Sequence, residues 1–89
     1  MKNNSANQLP TQKIRPDRNI GQNLRKFRKQ IGLSQEKLVG KMQLMGCDLS
    51  RMTYSKMERN QYNIRISELI AFTKIFGVDF NQLFEGLEE

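Results

Sequence analysis

Histidine is absent from this 89-residue chain, and cysteine occurs once, at Cys47. A lone cysteine excludes a disulfide within the chain, and without histidine or further thiols there is no ligand set for a Cys/His zinc site. Cys47 reads as a small residue in a turn. No apolar run approaches membrane-spanning length, and the opening MKNNSANQLPTQKIRP holds no hydrophobic segment that could act as a secretion signal. These absences point to a soluble protein of a reducing compartment, the cytoplasm. They also argue against catalysis, because paired carboxylates at a convergent spacing, a glycine-rich phosphate loop and a metal set are all missing. No enzymatic activity, cofactor or metal is expected, nor a dedicated small-molecule pocket in so short a chain.

Acids are scarce as well, but only in one part of the sequence. Residues 1–65 hold 14 Lys and Arg against Asp17, Glu36, Asp48 and Glu58, a net of +10. Residues 66–89 hold Lys74 against Glu68, Asp79, Glu85, Glu88 and Glu89, a net of −4, which completes the chain's +6. A positive portion of this size suggests a polyanionic partner, and the negative end suggests a separate task.

What is present is helical periodicity. Residues 1–16 are polar and broken by Pro10 and Pro16, and are expected to form a flexible basic arm. From Asp17 to about residue 86 the pattern is that of one domain, with residues 87–89 as a frayed end. Ile20, Leu24, Phe27 and Ile31 form one apolar stripe, stopped at Gly32. Ser34 caps a second helix with Glu36 in its first turn and a stripe of Leu38, Met42 and Met45. After Gly46, either Ser50 or Asp48 caps a third helix running to about Asn60. A fourth carries Ile66, Leu69, Ile70, Thr73 and Phe76 and stops at Gly77. The fifth opens with Asp79 as cap, Gln82 positioned to reach back, and Val78 able to staple onto Leu83. No stretch alternates with period two for long enough to argue for a strand. The expected fold is all-α, five short helices in a compact bundle.

The third helix carries the functional argument. Tyr54 and Met57 lie three apart and point toward a core, whereas Arg51, Met52, Ser55, Lys56 and Arg59 form one continuous outward face. That face holds three cations and no acid. Arg and Lys can donate to the O6 and N7 acceptors of guanine, and an apolar tip can touch a thymine methyl. A charged helix face is more often merely solvated, so this stripe alone leaves the partner open. Its surroundings favour DNA. The backbone N–H groups at the start of helix two, Ser34-Gln35, make a phosphate site, with Lys37 one turn in. The connector Asn60, Gln61, Tyr62 to Arg65 offers further side chains to phosphate oxygens.

The segments Leu33-Ser34-Gln35-Glu36, then Leu49-Ser50-Arg51-Met52-Thr53-Tyr54-Ser55-Lys56-Met57-Glu58-Arg59-Asn60, then Leu69-Ile70 through Phe76-Gly77-Val78 occur in order. Together they resemble the phage-repressor and Cro type of helix-turn-helix domain, over about residues 18–85. The resemblance implies a lambda-repressor-like five-helix bundle in which helices two and three read double-stranded DNA. It places Arg51, Met52 and Lys56 at base-contacting positions and Gln35 at a phosphate contact. The loop after helix three would add backbone contacts, and Arg28 and Glu58 would form an ion pair joining helix one to helix three. Three departures stand out. The stretch from Leu33 to Ser50 is about five residues longer than the family pattern, Val39 stands where Ala is usual with Gly40 after it, and Asn60 replaces the usual Gly.

The resemblance implies a transcriptional regulator, more in keeping with a repressor than an activator. Its base contacts would be Arg51, Met52, Ser55 and Lys56. Its backbone contacts would be Ser34, Gln35, Lys37, Arg59, Asn60, Gln61, Tyr62 and Arg65. One reading helix covers only a half-site, so a homodimer is expected, with Val78, Phe80, Leu83, Phe84 and Leu87 as its apolar surface. The alternative is a protein-interaction module, an antitoxin or anti-repressor, on the same fold. An RNA reader is disfavoured because the outward face of helix three lacks aromatic stacking platforms.

Overall fold

In the computed structural model, residues 13–14 and 20–86 are described, and the remainder of the arm, residues 15–19 and residues 87–89 lie outside them. The elements are β1 (Lys13–Ile14), α1 (Ile20–Gln30), α2 (Gln35–Leu44), α3 (Arg51–Glu58), β2 (Ile64–Arg65), α4 (Ile66–Phe76) and α5 (Phe80–Leu83). The caps fall at the residues whose chemistry favours them. Ser34 Oγ accepts from the Lys37 N–H, Ser50 Oγ from the Thr53 N–H, and Asp79 exchanges two bonds with Gln82. Ser50, and not Asp48, opens α3.

The five helices surround a core in which Leu24, Leu38, Met42, Tyr54, Met57, Leu69, Phe72 and Leu83 are almost wholly buried. A chain of rings runs through it: Tyr54 meets Phe72 at 5.9 Å, and Phe72 stacks on Phe76, which meets Phe27 at 5.7 Å. Tyr54 and Met57 are buried, the inward face expected of α3.

Three expectations need correction. Strands were not expected, yet Lys13–Ile14 and Ile64–Arg65 form a two-residue antiparallel ladder, with Lys13 opposite Arg65 and Ile14 opposite Ile64. Two residues are too few for alternation to register. On α4 the buried stripe is Leu69, Phe72 and Phe76, while Ile66 and Ile70 stay about 40% exposed. Two adjacent stripes of that helix are apolar, and the one with the phenylalanines removes more apolar surface from water. Ile31 and Met45, assigned to the stripes of α1 and α2, lie just past the ends of those helices and are exposed.

The lengthened connection divides between helix and turn. α2 has ten residues and ends in a Schellman motif, with the Gly46 N–H bonded to Gln43 O and the Cys47 N–H to Met42 O. Gly46 supplies the φ of 90° this needs. The Gln43 side chain then donates to Leu49 O at 2.8 Å, fixing the loop that leads to the α3 cap.

Candidate nucleic-acid interface

α3 presents its N-terminal half to solvent. Arg51, Met52 and Lys56 are exposed, Met52 at 70%, and no acidic side chain shares their face. The opposite face is pinned by Tyr54 and Met57. The helix therefore cannot rotate to hide its cations without exposing core.

Its orientation is fixed by a polar cluster at its far end. Arg28 Nε donates to Glu58 Oε2 at 2.6 Å and Nη2 to Oε1 at 3.3 Å, a two-pronged pair between α1 and α3. A third guanidinium bond, from Nη1, reaches Leu33 O at 2.8 Å, and Gln35 Nε2 donates to Glu58 Oε1 at 3.0 Å. One carboxylate thus gathers α1, the start of α2 and the end of α3. Burial alone would raise the Glu58 pKa, but hydrogen bonds led by the one from Arg28 outweigh it and hold the carboxyl below its ordinary value. The Arg28 guanidinium is correspondingly pushed up, mainly by its bond to Glu58. The Tyr54 hydroxyl is buried close enough to feel both charges, yet makes no hydrogen bond of good geometry; desolvation pushes its phenol up.

Two further contacts set the α1–α3 distance. The Gly21 N–H donates to Asn60 Oδ1 at 2.8 Å. A Cβ on Gly21 would run into the carbonyl oxygens of Met57 and Glu58. Neither residue drew attention for this in the sequence, although Gly21 shares a helical face with Leu24 and Arg28, which was the available signal.

The other expected interface residues divide into two groups. Ser34 and Lys37 are exposed at the start of α2, where the first-turn amides have no intrahelical partner. Gln35 is half-buried on Glu58. Arg59 folds back, donating from Nη1 to Ser55 Oγ at 2.8 Å and from Nε to Gln61 Oε1 at 3.3 Å, so it occupies two other candidate contacts. Tyr62 is half-buried against the core. Arg65 is exposed, its N–H held by Glu68 Oε1 at 2.8 Å at the start of α4. Asn60 sits at φ 60°, the left-handed conformation the end of α3 requires.

A helix-turn-helix family model matches residues 24–83, a span that runs from within α1 to the end of α5. The chain belongs to the helix-turn-helix family of the phage-repressor and Cro type. No curated protein and no solved structure matches it. Within this helix-turn-helix α2 and α3 are the paired helices, and membership of the family makes the chain a DNA-binding transcription regulator. No helix among the described residues is long and apolar enough to cross a membrane.

The expected dimer surface is only partly available. Leu83 is fully buried, and Val78 and Phe84 pack on the core of their own protomer; Phe80 remains 46% exposed. Leu87 lies outside the described residues.

Proposed function

We propose that this regulator is a sequence-specific repressor that acts in the cytoplasm as a homodimer on a two-fold-related operator. The observation that carries the reading is the exposed, acid-free face of α3, held by the Arg28–Glu58–Gln35 cluster. Arg51 and Lys56 donate to guanine, Met52 meets a thymine methyl, and Ser55 completes the base contacts once Arg59 turns to a phosphate. Ser34, Gln35, Lys37, Asn60, Gln61, Tyr62 and Arg65 line the DNA backbone on either side. A repressor needs nothing beyond such occupancy, because a bound dimer blocks polymerase by position.

The test is selection in vitro. Purified protein is mixed with sheared genomic DNA at about 0.15 M salt, which suppresses purely electrostatic binding. Retained fragments are then sequenced. The expected result is enrichment of a short inverted repeat that disappears with Arg51→Ala or Lys56→Ala. Uniform retention across the genome would refute readout by α3 and favour a protein-interaction module on this fold.

A further inference from the structure

One concavity among the described residues lies away from the α3 face. It is a groove of about 660 Å³ walled by Ile31, Leu33, Leu44, Met45 and Ile75. Its two charged residues, Lys41 and Lys74, are both cations, and no acid lines it. Leu44 is 89% exposed, and Ile31 and Met45 about 40%. Ile66 and Ile70, two turns and one turn before Lys74 on the same face of α4, extend the exposed apolar surface to its edge. A continuous apolar patch with a basic rim marks a binding surface better than scattered exposed residues do.

The chain contains one segment of matching chemistry. From Asp79 to Glu89 it reads DFNQLFEGLEE, four acids and no cation, with Phe80 exposed among them. Within one protomer the part of that segment around Leu83 and Glu85 is held elsewhere. Asn23, near the start of α1, donates to Leu83 O at 2.8 Å and to Glu85 O at 3.1 Å, whereas the groove begins at Ile31, past the other end of α1. An 11-residue helix spans about 16 Å, and three residues beyond Gly86 reach about 10 Å when fully extended.

We propose that the groove receives the acidic C-terminal segment of a second copy of this chain, reciprocally about a two-fold axis. Phe80 of each protomer fills the apolar wall of the other, and the carboxylates face Lys41 and Lys74. Two reciprocal contacts close the pair, where a single groove-to-segment contact would propagate into a filament. This inference rests on the self-association proposed above and supplies a surface for it, since Leu83 is buried and Val78 and Phe84 pack on the core of their own protomer.

The test is sedimentation equilibrium of the full chain from micromolar to hundreds of micromolar, with and without DNA. Circular dichroism checks that each variant is folded. Leu44→Glu and Lys74→Glu change exposed groove residues, and Phe80→Ser changes the inserted side chain. Each is expected to weaken dimerisation by about tenfold or more. An equimolar mixture of Leu44→Glu with Phe80→Ser should associate more tightly than either alone, because the mixed dimer retains one intact groove and one intact segment. A mixture no tighter than its components would overturn the reciprocal arrangement. A dimer as tight in Leu44→Glu and Lys74→Glu as in the unaltered chain would overturn the groove while leaving the homodimer standing. A monomer at every concentration, on and off DNA, would overturn both.

Discussion

Two residues hold α3 in place by opposite means, one through absent volume and one through charge. Gly21 has no Cβ, and the α3 carbonyls of Met57 and Glu58 fill the space where one would stand. The obstacle is backbone, which cannot swing aside as a side chain can. Gly21→Ala is therefore expected to destabilise the fold by about 1–3 kcal/mol in urea denaturation and to weaken DNA binding as α3 is displaced. A change in stability below about 0.5 kcal/mol would show that α1 and α3 separate freely. Glu58 acts through charge, its side chain 6% exposed and that of Arg28 11%. Glu58→Gln leaves the guanidinium buried against a neutral amide, at an expected cost of about 3 kcal/mol at neutral pH. The sign of the pH dependence follows from the lowered Glu58 pKa. The stabilisation is present above the unfolded value of about 4.3 and is lost as pH falls through the lower folded value. The gap between the two proteins should thus narrow as pH falls below about 4. A gap independent of pH would place the stabilisation somewhere other than the carboxylate.

At the scale of elements, the end of α3 does two jobs with one residue. Asn60 adopts the left-handed conformation that ends the helix, and its side chain also takes the Gly21 N–H in the first turn of α1. Glycine in its place, the common choice in the family, would keep the first job and lose the second. Asn60→Gly should cost about 1 kcal/mol and fray the start of α1, read as faster amide exchange at Gly21. Unchanged exchange there would mean that the α1 amide is satisfied without Asn60. Such cross-helix bonds were not legible in the sequence, because they depend on which elements meet. Caps were legible, since Ser34, Ser50 and Asp79 satisfy amides only three residues away. Stripes were legible where one stripe dominates, as on α3. On α4 two apolar stripes compete, and periodicity cannot choose between Ile66-Ile70 and Leu69-Phe72-Phe76. The Arg28–Glu58 contact came from the family resemblance, as spacing alone does not bring residues 30 apart together.

Across the whole molecule the proposed contacts follow the charge split, the basic portion meeting DNA and the acidic end meeting a second copy of the chain. For DNA this makes a distinction that can be measured. In the proposed complex Lys37, exposed at the start of α2, serves a phosphate, and Arg51, exposed at the start of α3, serves a base. Lys37→Ala should weaken binding to operator and random duplex by the same factor, and should lower the slope of log affinity against log salt by about one per half-site. Arg51→Ala should instead cost about 1–3 kcal/mol on the operator and much less on random DNA, so that discrimination falls. Fluorescence anisotropy on both duplexes between about 50 and 200 mM salt separates the two behaviours. If Lys37→Ala reduced discrimination while Arg51→Ala changed only the salt slope, the helix inserted in the major groove would be α2, and the bundle would sit on DNA the other way round.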